Sequence, residues 1–458
     1  MGFNTIPQLE PKPKRSKPKT EKVPKQTEGV SVPTAPEDKH GFTEQEWIAA
    51  HKDDPDFDPE EFKFHQARYQ KKAEDFARRN VLRKFFDRFE EKDNVAFAYE
   101  EALRDNAEWN KMFHMEMQTN GEFRKEMNAE FKEWHKMLET VLGNLKAKRD
   151  DPDGKGKEVR PLLLALGGGM AGSYGAGQVA ALVHSGYMKT FNQAVGISAG
   201  ACDIGYALAG EDQVLTGSSI YYEECAKKDF LDMGRIKQIM NVGWLANIMS
   251  NDAKKKLDTK AVEANPTEFY VQATNVTDPE KQKAEFIDAK AKGVIPSIHA
   301  SMALPWFYRK SVEIDGQQFQ DGALIDSFPL EEVIKRFNPT DILVLPQVPF
   351  ETMVGIEKQT ALFRNKALSS LGRFLPNKAS LESGSVALFL KFARGRENFR
   401  KALDTIQQET GVNIGLMYPP DGGLIPITNE SGVVKAGILA SAKRACEDLG
   451  ERMNFQLK

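Results

Sequence analysis

Residues 162–166 form an unbroken apolar run that ends in Gly167-Gly168-Gly169. About thirty residues later, Gln193-Ala194-Val195 leads into Gly196-Ile197-Ser198-Ala199-Gly200. Between them, residues 177–185 read as a helix. The order strand, glycine loop, helix, strand and small-residue turn commits this segment to one β–α–β unit. A serine at a strand-to-helix turn has the form of a nucleophile held on a tight elbow. Gly196 and Gly200 let the backbone take a strained turn and let a substrate carbonyl come close. A glycine run upstream can present backbone N–H groups to an oxyanion. Two halves of an acyl-transfer site therefore fall within one unit.

The same texture continues to the C-terminus. Residues 269–274 and Asp341–Leu345 read as strands, 412–418 as a late strand and 431–449 as a closing helix. Val312–Ile314 and residues 317–320 flank Asp315-Gly316, a hairpin signal. Strands alternating with helices predict an α/β domain over 158–458 with a mostly parallel central sheet. Residues 148–158, with Pro152 and Gly154, mark its boundary. Residues 41–150 read as α-helical, with a capping box at Thr43 and Glu46. In that region Phe123, Met127, Phe131, Trp134, Leu138, Val141 and Leu145 recur in steps of three and four. That face suits a helical hairpin, packing against the domain that follows, or a helical partner. Residues 1–40 are rich in Pro and Lys, carry almost no large apolar side chains after Leu9, and are expected to be a disordered basic tail. A solvated linker and contact with anionic lipid both fit it.

Composition narrows the function classes. The 458-residue chain has 63 basic against 66 acidic residues and a net charge of −3, which speaks against a nucleic-acid binder. Cys202, Cys225 and Cys446 are too scattered for a disulfide framework or a zinc site, so no metal is expected. The N-terminus has no apolar core for a secretory signal, and Ile6 stands where a myristoylation site wants Ser or Thr. No run of about eighteen apolar residues is long enough to span a membrane. The expectation is a cytoplasmic protein, peripheral to a membrane if it meets one.

Gly167, Gly169 and Gly172 also satisfy the G-x-G-x-x-G dinucleotide fingerprint. That fingerprint wants an acidic residue at the end of the second strand. Here the second strand ends in the Ser198 elbow instead, and no Gly-Lys-Ser/Thr follows for a P-loop. A Rossmann-type nucleotide site is a remote alternative, and no cofactor is expected.

A serine hydroxyl needs a base. The seven histidines end at His299, so the order Ser, acid, His of an α/β-hydrolase has no late histidine to use. His184 reads as a helix-end residue and His299 as structural. A carboxylate remains. Asp321-Gly322-Ala323 follows the predicted hairpin and ends a strand instead of linking two. It fits an ordinary turn as well as a partner for the serine.

With these residues placed, residues 161–329 resemble the patatin-like phospholipases, with weaker similarity to the C-terminus. Gly167-Gly168-Gly169-Met170-Ala171-Gly172 is similar to the family's oxyanion motif, G-G-G-x-[R/K]-G. Gly196–Gly200 is similar to its G-x-S-x-G. Ala300-Ser301 through Pro305, then Asp321-Gly322-Ala323 and Asp326-Ser327-Phe328-Pro329, resemble its later motifs. The resemblance implies a three-layer patatin-like fold and a lipid acyl hydrolase with a Ser–Asp dyad. Ser198 would be the nucleophile and Asp321 the base. Backbone N–H groups of Gly168, Gly169 and Ala199 would hold the oxyanion, within a loop running from Gly167 to Gly172. The chain departs from the family at Ala171, where Arg or Lys is usual. The loop charge is lost there, and a catalytically retired lipid-binding or scaffold protein on the same fold stays open.

A lipid substrate calls for a surface that meets lipid. Residues 361–401 hold nine basic residues against Glu382 and Glu397, interleaved with Leu and Phe. Such a segment can lie in a membrane interface, or pack as an ordinary surface helix.

Overall fold

A computed structural model describes residues 121–232, 240–305, 310–350, 396–420 and 430–457, with Met117 and Tyr308. The basic tail 1–40, the helical expectation over 41–116 and the amphipathic stretch 361–395 lie outside the described residues.

The first described helix, α1 (Gly121–Asp150), precedes strand β1 (Pro161–Ala165). A 3-10 turn, Gly169–Gly172, leads into α2 (Ser173–His184). Then come β2 (Gln193–Ile197), α3 (Ala199–Leu208) and α4 (Glu211–Ile220). Farther along lie β3 (Glu268–Asn275), β4 (Lys283–Asp288), α5 (Val294–Met302), β5 (Val312–Ile314) and β6 (Gln317–Asp321). The last elements include β7 (Asp341–Leu345), β8 (Asn413–Leu416) and α6 (Ser431–Asp448).

The strands form one sheet in the order β5-β6-β3-β2-β1-β7-β8, with β4 also paired to β3. The pairs β3–β2, β2–β1, β1–β7 and β7–β8 are parallel. Strands β4, β5 and β6 are antiparallel additions. The predicted α/β class therefore holds, with a parallel centre. The hairpin holds as well. Asp315 and Gly316 both have positive φ, 50° and 76°, the backbone of a type I′ turn. Strand β4 was not among the expected strands. It is an edge strand, buried at Ile287 and exposed at both ends, so its own sequence carries a weak signal.

All five residues of β1 and of β7 are buried, which requires a helical layer on each face. Side chains alternate between the faces. Leu162, Leu164, Val195, Ile197, Ile342 and Val344 enter one core; Leu163, Ala165, Ala194, Leu343 and Leu345 enter the other.

Helix α1 belongs to this assembly. Met127, Trp134, Leu138, Val141 and Leu145 are buried, and they are divided between the two cores. Of the expected face, Phe131 remains 39% exposed, edge-on to Phe350. The helix lies against β8 so closely that a Cβ on Gly415 would stand 3.0 Å from the Cα of Leu138. Asn144 adds a 2.6 Å hydrogen bond to the carboxylate of Asp341. Met127, Trp134, Leu138, Val141 and Leu145 thus bury their part of the α1 face in the cores of the sheet that follows. No helix among the described residues is long and apolar enough to cross a membrane.

Candidate active site

Strand register brings the two motifs together. Strand β4 pairs with β3 over Tyr270 to Asn275, so β2 and β6 must share the other edge of β3. They run toward each other along it. Ile197, the last residue of β2, lies opposite Gln272, and Asp321, the last of β6, lies opposite Ala273. The two strands end head to head, and the residues that terminate them are Ser198 and Asp321.

Ser198 has φ 51° and ψ −120°, a conformation that non-glycine residues seldom adopt. The neighbours that permit it are close. A Cβ on Gly196 would stand 2.4 Å from the Cα of Ala201, and one on Gly200 would stand 2.4 Å from the carbonyl oxygen of Ala165. The elbow is also pinned by a side chain. The Ser198 N–H donates to Ser301 Oγ at 2.7 Å, and Ser301 Oγ donates to the Gln272 carbonyl at 2.6 Å. Helix α5 thereby holds the turn against β3.

Asp321 is 2% exposed. Its Oδ1 accepts from the Ala323 N–H at 2.9 Å, and its carbonyl accepts from Thr274 Oγ1 at 2.8 Å. Burial pushes its carboxyl up to about 7, against the opposing pull of the Ala323 N–H and of a hydrogen bond with the Ser198 side chain. Gln272 fixes the turn that follows, donating through Nε2 to the carbonyls of Gly322, at 2.7 Å, and Asp326. One residue of β3 thus braces both sides of the pair.

The glycine loop lies beside the serine. A Cβ on Gly167 would stand 3.1 Å from Ser198 Cβ and 3.8 Å from its Oγ. Gly167, Gly168 and Gly169 are partly exposed, and Gly169 has φ 55°. Gly172 packs on helix α3, its Cβ position 2.4 Å from Ala199 Cβ. Ala171, in the place of the family's basic residue, is buried. A largely apolar cavity is lined by Gly169, Ser198, Ala199, Cys202, Leu245 and Met302, among others.

The expected residues are therefore gathered in one place: Ser198, Asp321, Gly167, Gly168, Gly169, Gly172, Ala199, Gly196, Gly200 and Gly322. The two histidines weighed as partners, His184 and His299, make other contacts. His184 stacks on Phe455 with ring centroids 4.4 Å apart, and His299 Nε2 lies 3.2 Å from Tyr308 Oη. Among the described residues neither bonds to the Ser–Asp pair, and no cluster of acidic, His or Cys side chains suits a metal ion. Gln272 had no place in the sequence reading, because nothing local to it signals that it spans two loops. Ser301 stood within a motif but without a role.

Residues 164–334 match the family model for patatin-like phospholipases. An uncharacterized protein of Escherichia coli K12, YjjU, is 25% identical over 194 residues, covering 42% of this chain and 52% of that protein. The match thus spans about half the length of that relative. Among solved structures, VipD from Legionella pneumophila aligns over 64% of this chain and 67% of its own, with 13% identity and a TM-score of 0.30. That overall likeness is slight, and the fold is defined by the sheet described above.

Proposed function

We propose that the patatin-like phospholipase domain of residues 164–334 is a working serine hydrolase of fatty-acyl esters. The observation that carries this reading is the head-to-head meeting of β2 and β6, which brings the strained Ser198 to the buried Asp321, whose carboxyl burial pushes up to about 7. A group that titrates near neutrality can take a proton and return it. Ser198 Oγ attacks the ester carbonyl carbon as its proton passes to Asp321. The C–O bond to the alcohol then breaks, and Asp321 returns the proton to the departing oxygen. Water then attacks the acyl carbon as its proton passes to Asp321; the bond to Ser198 Oγ breaks, Asp321 returns the proton to that oxygen, and the free acid leaves.

The negative charge of each tetrahedral intermediate falls between the glycine loop and the start of α3. Donors there are the N–H groups of Gly168, Gly169 and Ala199. As backbone groups they do not depend on a basic side chain at Ala171. The apolar cavity beyond Ser198 receives the acyl chain, where transfer from water is favourable at about 0.8 kcal/mol per methylene. On this reading the basic amphipathic stretch 361–401 meets the lipid surface.

The test is covalent labelling by a fluorophosphonate together with ester hydrolysis. Wild type should label and Ser198→Ala should not. Asp321→Asn should lower kcat by roughly 10²- to 10⁴-fold. Hydrolysis untouched by either substitution would sink the dyad. A wild-type chain that binds lipid but neither labels nor hydrolyses would mark the retired scaffold.

A further inference from the structure

Three buried polar side chains beside the glycine loop neither carry the proton nor hold the oxyanion in that chemistry, although Asp203 and Tyr221 line the apolar cavity. Gln347 follows β7 and is 2% exposed. Its Oε1 accepts from the N–H of Gly175, in the first turn of α2, at 2.8 Å. Its stem lies on the loop itself, since a Cβ on Gly168 would stand 2.5 Å from Gln347 Cβ. Its Nε2 has no hydrogen-bond partner among the described residues. Asp203, on the nucleophile helix α3, faces it. A Cβ on Gly175 would stand 2.3 Å from Gln347 Nε2 and 2.5 Å from Asp203 Oδ2, which also lacks a partner. The other oxygen, Asp203 Oδ1, accepts from Tyr221 Oη at 2.9 Å. Tyr221 Oη in turn lies 2.9 Å from the Cβ position of Gly172. Tyr221 opens a π-helical turn, Tyr221–Cys225, a backbone irregularity frequent at functional sites.

We propose that Gln347, Asp203 and Tyr221 form a buried polar clamp that positions the glycine loop against the nucleophile helix. Gln347 holds the loop and the start of α2 from the β7 side. Asp203 from α3 and Tyr221 from the turn after α4 pack against the same backbone at Gly175 and Gly172. Gly168, Gly172 and Gly175 admit the clamp, because a side chain at any of them would collide with it. The catalytic consequence rests on the hydrolase reading; the positioning does not. Burial drives the Asp203 carboxyl toward its neutral form. An amide in its place therefore keeps the clamp, and an alkyl side chain breaks it.

Gln347→Met preserves volume and removes the acceptor for Gly175. Amide hydrogen exchange at Gly175 should quicken by roughly three- to tenfold, the worth of one hydrogen bond. The rate of fluorophosphonate labelling at Ser198 should fall at least as far in Gln347→Met and in Asp203→Leu. Asp203→Asn should label within about threefold of wild type, on the same scale of one hydrogen bond. Circular dichroism identifies any variant that fails to fold, and the isosteric Asp203→Asn and Gln347→Met then decide. Unchanged exchange in Gln347→Met, or loss of labelling in Asp203→Asn equal to that in Asp203→Leu, overturns the clamp. If wild type itself does not label, the hydrolase reading falls and the exchange measurement alone judges the clamp.

Discussion

A carboxyl group that exchanges a proton with a serine at neutral pH works best when it titrates there, and burial takes Asp321 to about 7. The same shift has a cost in stability. Between about pH 4 and pH 7 the unfolded chain has released this proton while the native state keeps it. The stability associated with the neutral acid is therefore complete below about pH 4 and lost as pH rises through 7. Asp321→Asn, which is neutral throughout, should match wild type in acid and exceed it at pH 8, by at most about 4 kcal/mol. Urea denaturation of both proteins at pH 4 and pH 8 checks this. Hydrolysis by wild type should move the other way, rising with pH through 7 as the base ionises. Ser198 and Asp321 were legible in the sequence as motif positions. The titration of Asp321 was not, because it follows from burial beneath residues distant in the chain.

Among elements, α5 matters more than its sequence suggests. Its Ser301 occupies both the N–H of the strained Ser198 and the carbonyl of Gln272. Ser301→Ala leaves a buried donor and acceptor without their partner. That should cost about 1–3 kcal/mol and slow hydrolysis with little change in KM. An equal loss of kcat and gain in KM would instead indicate a disturbed substrate pocket. The main strands and the type I′ hairpin could be read locally, since β-type runs and Asp315-Gly316 are short-range signals. Strand β4 could not, because an exposed edge strand takes its form from its partner. Gln272 and Gln347 were missed for a related reason. A lone glutamine has no pattern, and its importance comes from the loops that meet on it.

For the molecule as a whole, α1 is part of the folded unit. Trp134, Leu138, Val141 and Leu145 are buried within the two cores that flank the sheet. Leu145→Ala should destabilise by about 2–5 kcal/mol, measured by urea denaturation. A change below about 0.5 kcal/mol, the level of an ordinary surface substitution, would show that α1 is not packed as described. Local chemistry in the sequence was enough to place the glycine loop, the serine elbow and most strands, because turns, apolar runs and small residues act within a few positions of themselves; Asp321 was singled out by the family resemblance. The meeting of β2 and β6 end to end on β3, the neutralising burial of Asp321, the bracing glutamines and the seat of α1 depend on contacts between residues far apart in the chain. Those contacts exist only once both faces of the sheet are covered.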